Sequence, residues 1–137
     1  RFIDFEKGDF IGRNAIMADD KENCSWGIRV EGGTALRGDT LECNGQSIGR
    51  VTSSTWSPYQ VCGVGIVLLN ESNLRLGSVV DVQCTDGQLH RGELCTLPMY
   101  DPKGEIVRGV NVAVPAGPEP WAGIPATADP RFSAKNV

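Results

Sequence analysis

The stretch "GRVTSSTWSPYQVCGVGIVLL", Gly49 to Leu69, decides how this chain folds. It begins small and polar, passes through Trp56-Ser57-Pro58-Tyr59, and ends in a nearly unbroken apolar run. The first part reads as a strand returning from a hairpin, with Ile48 and Val51 turned inward. Pro58 marks a turn, because its fixed φ and missing N–H suit a turn and break a ladder. The run from Val61 to Leu69 is too densely apolar for a strand with one wet face, so it reads as a central strand. Gly63 and Gly65 share one face of it. Glycines so placed let another backbone or side chain approach closely, or bend the sheet.

Working outward, the punctuation from Trp26 onward is that of an all-β domain. "WGIRV" has strand composition, and "EGG" and "RGD" are turn signals. "DTLEC" alternates, and Asn44-Gly45 is the strongest hairpin dipeptide in the chain. "ESNLRLGS" is a loop, "VVDVQC" a strand, Asp86-Gly87 a second hairpin turn, and "QLHRGELC" the return strand. In "TLPMYDPKGEIVRG", Pro98 and Pro102 exclude a central ladder position. Six to seven short strands at this spacing predict a closed barrel or a sandwich.

The flanks differ in character. Residues 1–22 read as a lead-in, with Asp9 capping a short helix that holds Ile11, Ala15, Ile16 and Met17. Residues 23–114 form the β domain. Residues 115–137 carry five prolines and little periodicity, so they are an extended arm or a disordered tail. Trp121, Ile124 and Phe132 favour docking of that arm. The opening Arg1, with no basic and apolar leader, points to a piece of a longer polypeptide.

The chain has 137 residues, the size of one domain, and a net charge of −4 with a pI near 4.9. That balance gives no basic footprint for nucleic acid. No apolar run reaches the ~18 residues that would span a bilayer. The five cysteines are widely spaced, with no C-x-x-C. Neither a zinc knuckle nor a redox motif follows, and Cys43, Cys62, Cys84 and Cys95 read as reduced core residues in a reducing compartment. His90, the one histidine, lacks a clear catalytic or ligating partner. Ser53, Ser54 and Ser57 lie outside any G-x-S-x-G context and suit turn chemistry. No catalytic or metal-binding residue is assigned.

Taken in order, several segments resemble the C-terminal domain of the glycine-cleavage T-protein (aminomethyltransferase) superfamily. They are "EKGDFIGRNAI", "IGRVTSSTWSP", "GVGIVLL", "GSVVDV" and "RGELCTLPMYDPKG", spread over residues 5 to 108. The resemblance implies a Greek-key β-barrel appended to a larger tetrahydrofolate-binding region. Relatives include dimethylglycine and sarcosine dehydrogenases or oxidases and folate-dependent demethylases, and "YDP" at Tyr100–Pro102 leans toward those branches. It implies tetrahydrofolate as cofactor in the parent, an upstream folate-binding domain as partner, and a small methyl or aminomethyl donor. The expected location is cytoplasmic, or the mitochondrial matrix in a eukaryote. The barrel alone would not turn over substrate; it would brace the folate channel. Candidate cofactor contacts are Trp56, Tyr59, Tyr100, Asp101 and Arg108, the aromatics against a pterin or substrate and the guanidinium against a carboxylate. The alternative is a non-catalytic β-barrel binding or assembly module.

Overall fold

A computed structural model describes residues 4–18, 24–70 and 74–124. Six antiparallel strands follow a short helix, α1 (Arg13–Ala18): β1 (Cys24–Val30), β2 (Thr40–Cys43), β3 (Gln46–Ser57), β4 (Cys62–Leu69), β5 (Val79–Gln83) and β6 (Leu89–Cys95). They close in the order β1-β4-β3-β2-β5-β6, with β6 pairing back onto β1. Three hairpin-linked strands, β2 to β4, together with β1 lying beside β4, make a Greek key. The expected barrel is present, with six strands, because residues 96–124 cross its outside without joining the ladder. Closure leaves no free sheet edge.

Both hairpin dipeptides act as read. Asn44 and Gly45 have φ of 54° and 73°, the double left-handed turn that matches strand twist, and they join Cys43 to Gln46. Asp86-Gly87 turns β5 into β6, and the Asp86 carboxylate accepts the Gln88 N–H at 2.9 Å. The helix reading needs one correction. Asp4, not Asp9, caps the chain's first turn, accepting the Glu6 N–H at 2.9 Å in a 3-10 turn over Phe5–Lys7. α1 begins only after Gly12, whose φ of 89° breaks the path, and Ile11 is left fully exposed before it.

Ile48 and Val51 both point inward although they stand three apart, which simple alternation forbids. The first of two register shifts on β3 explains this, since it makes Ile48 the extra residue. Leu41 faces Gly49 while Glu42 faces Ser47, and Val51 faces Val67 while Ser53 faces Ile66. Each shift leaves one extra residue on β3, and such bulges bend a strand around a barrel. The Thr52 hydroxyl at the second bulge donates to the Ile66 carbonyl at 2.9 Å.

Ile28, Val30, Leu41, Val51, Val67, Leu69, Val80, Val82 and Leu94 fill the interior. Gly63 answers the question its position raises. A Cβ there would run into the Gly33 carbonyl oxygen, with Val30 Cβ 3.2 Å away. Its absence lets the β1–β2 connection fold over the barrel mouth and seat Ala35 in the core. Gly27 does the reverse on the outer face, where a Cβ would stand 2.9 Å from Cys95 Sγ and 3.0 Å from the Thr96 carbonyl. The segment after β6 therefore lies flat against β1.

Cys62, Cys84 and Cys95 are free thiols, and all three are buried. Burial pushes Cys84 and Cys95 up to about 11, so both stay protonated and unreactive near neutrality. No helix among the described residues is long and apolar enough to cross a membrane.

Candidate functional site

The outer face of β4 carries Val64 and Ile66, which form the floor of a cleft of about 580 Å³. The turn after β3 supplies one wall through Ser57, Tyr59 and Gln60. The segment after β6 supplies the other through Leu97, Pro98, Met99 and Tyr100, and Pro115 completes the lining. The lining is mostly apolar with a few polar groups, the composition expected of a small-molecule or docking cleft of this size.

Tyr59 and Tyr100, far apart in sequence, meet edge to face here, ring centroids 5.4 Å apart at 70°. That arrangement sets the positive edge of one ring on the negative face of the other. Desolvation, reinforced by a hydrogen bond to the Glu119 carboxylate, pushes the Tyr59 phenol up to about 12, so it remains a donor. The turn is held locally: the Gln60 N–H donates to Ser57 Oγ at 3.1 Å, and Val61 takes a φ of 53°.

Beneath the walls lies a polar tie absent from the sequence reading. Arg29 Nε donates to Gln60 Oε1 at 3.2 Å, and Arg29 Nη2 donates to the Met99 carbonyl at 3.2 Å. One guanidinium thus clamps both walls, a use its planar fork suits. Arg29 faces Glu93 across the β1–β6 ladder, and burial nevertheless pushes the Glu93 carboxyl up. The available signal was an arginine inside an otherwise apolar strand, "WGIRV".

The remaining candidates sit apart from the tyrosine pair. Trp56 stands at the barrel rim opposite Gly63 and is 41% exposed. Asp101, at a φ of 47°, turns its carboxylate inward on its own loop and accepts the Glu105 N–H at 2.8 Å and the Ile106 N–H at 2.9 Å. Arg108 donates to the Gly104 and Lys103 carbonyls. Asp101 lines a second hollow with Tyr100, Pro102, Lys103 and Val107. Pro98 and Tyr100 are shared by both concavities. His90 lies elsewhere, between the Glu31 carbonyl (Nδ1, 2.9 Å) and Asp86 Oδ2 (Nε2, 2.7 Å). Among the described residues no group of three or more His, Cys, Asp or Glu is placed to hold a metal ion.

Residues 25–101 match the family model of the glycine cleavage T-protein C-terminal barrel domain. The chain belongs to this family. The matched span runs from β1 through the 97–101 wall, so the T-protein barrel includes every strand and both tyrosines. The chain is 32% identical over 107 residues to a 4-methylaminobutanoate oxidase (formaldehyde-forming) of Paenarthrobacter nicotinovorans, covering 74% of this chain and 13% of the oxidase. It is 31% identical over 99 residues to a probable aminomethyltransferase of Pyrococcus horikoshii, covering 69% of this chain and 25% of that protein. It thus spans a quarter or less of these relatives' length. The glycine cleavage system aminomethyltransferase T of Bartonella henselae has the same fold, with a TM-score of 0.56 at 23% identity over 68% of this chain and 27% of that one.

Proposed function

We propose that this T-protein barrel is the C-terminal part of a tetrahydrofolate-dependent one-carbon transferase and forms one wall of its folate and substrate channel. The observation that carries the reading is the family match itself, which covers the whole barrel and joins it to proteins named for an aminomethyl transfer and for a formaldehyde-forming oxidation of a methylamino compound. Both names concern a one-carbon unit on nitrogen. The donor proposed is accordingly a small amine bearing a methyl or aminomethyl group.

The cleft suits such a role. Its apolar floor and two tyrosine rings fit a flat bicyclic ring, and its volume lies within the usual range for a bound small molecule. Tetrahydrofolate, when bound, supplies the nucleophilic nitrogen. The barrel's residues orient and exclude water, which is most of what this chemistry asks of a protein. Tyr59 and Tyr100 would pack on the ring, with the Tyr59 hydroxyl staying protonated throughout the neutral range. Arg108 would offer positive charge from a loop braced by its own carbonyls, and Trp56 would meet the neighbouring region at the rim.

The test is thermal unfolding of the complete parent polypeptide with and without tetrahydrofolate. Ligand at 100 times Kd adds about 2.7 kcal/mol of stability. The upward shift should shrink in a Tyr59→Ala/Tyr100→Ala double variant and be absent for the barrel alone. A complete protein indifferent to tetrahydrofolate would overturn the reading and leave a non-catalytic binding module in its place.

A further inference from the structure

Beyond residue 101, where the family match ends, the chain returns to the barrel. The sequence there is Pro118-Glu119-Pro120-Trp121. Proline has no N–H, so Glu119 and Trp121 hold the only backbone donors of these four residues. Both are used on the turn after β3, on two adjacent carbonyls. The Glu119 N–H donates to the Tyr59 carbonyl at 2.9 Å, and the Trp121 N–H donates to the Gln60 carbonyl at 2.7 Å. A few residues on, the Ile124 N–H donates to Glu31 Oε1 at 2.9 Å. The alternating prolines leave residues 118–121 with no N–H donor beyond the two spent on the turn after β3.

These contacts converge on the cleft. Glu119 meets Tyr59 through its N–H, which donates to the Tyr59 carbonyl, and its carboxylate helps to raise the phenol's pKa. Gln60 takes Trp121 on its backbone and Arg29 on its side chain, and Arg29 reaches Met99 on the opposite wall. Pro115, at the start of the segment, lines the cleft itself. We propose that residues 115–124 are a strap that locks the 57–61 turn against the 97–100 segment, completes the cleft's lining through Pro115, and makes Glu119 a positioning residue for Tyr59. The strap lies past the residues that the family model matches, and it stands whether or not the parent binds folate.

Amide exchange and tyrosine titration by NMR on the full 137-residue chain test it. The Glu119, Trp121 and Ile124 amides should be protected. Trp121→Pro, which removes one donor, should abolish protection at Glu119 while the Val51 and Leu94 amides of the barrel stay protected. Strap amides that exchange freely in the unsubstituted chain would overturn the proposal. So would loss of the barrel amides together with the strap, since the segment would then be part of the barrel's own stability. Glu119→Gln, a mild change at an exposed position, gives a second readout through labelled tyrosine Cζ. The Tyr59 pKa should fall from about 12 toward the ordinary 10.0. A Tyr59 titration unmoved by that substitution would sink the positioning role.

Discussion

Two glycines of the barrel are explained by what touches them, and they separate two kinds of cost. A Cβ on Gly63 meets the Gly33 carbonyl, which is backbone and can yield only if the loop over the barrel mouth lifts. A Cβ on Gly92 would stand 2.8 Å from both Ile28 Cδ1 and Val82 Cγ2, the ends of side chains that can rotate. Overpacking in a filled core costs typically about 1–3 kcal/mol. Gly63→Ala is expected at or above the top of that range and Gly92→Ala near the bottom, measured by urea unfolding with unchanged m-value. Equal losses would mean that the 31–35 loop shifts freely. At this scale the sequence was partly legible. The shared face of Gly63 and Gly65 predicted a close approach, but not the identity of the backbone that approaches, since Gly33 reaches it only through barrel closure.

Elements were more legible than contacts between them, and the exceptions have physical causes. Hairpin dipeptides fix their turns locally, so Asn44-Gly45 and Asp86-Gly87 could be read directly. The density of "VCGVGIVLL" was also legible, because the outer face of β4 is covered in part by the 97–100 wall, so that Cys62 is buried and Val64 half-buried. The bulges of β3 were not, since a register shift depends on the partner strand. Nor was the pairing of Tyr59 with Tyr100, which joins two loops. The β5–β6 hairpin carries its own pH dependence. Asp86 raises the His90 pKa above 6.5, with the Glu31 carbonyl adding to it; the Gln88 N–H, then His90, lower Asp86 below 3.8. The histidine's contribution to stability is therefore complete below pH 6.5 and is lost as pH rises through its raised folded value. The aspartate's is complete above 3.8 and is lost as pH falls through its lowered one. The single histidine makes the check direct: its NMR titration midpoint should lie above 6.5 and move down in Asp86→Asn. A midpoint indifferent to that substitution would mean that the Glu31 carbonyl alone sets it.

As a whole molecule the barrel is closed, yet its wrapping is uneven. Val107, Val110, Val112 and Val114 are each at least 70% exposed, in a stretch that joins the Asp101 loop to the strap without entering the ladder. Soluble proteins rarely leave such apolar runs bare without a partner. The relatives are four or more times longer than this chain's share of them, so under the proposed function the upstream part of the same polypeptide is the partner that covers this side. Val112→Asp separates the alternatives. In the isolated chain the side chain is in water, and the change should move stability by no more than about 0.5 kcal/mol. In the complete parent the same carboxylate would be forced under a neighbouring domain, which costs on the order of 1–3 kcal/mol, read as a lower Tm of the barrel's transition. Small, equal effects in the two settings would place these valines in solvent in the parent as well. The upstream region would then have to meet the barrel by another face, such as the tyrosine cleft or the Trp56 rim.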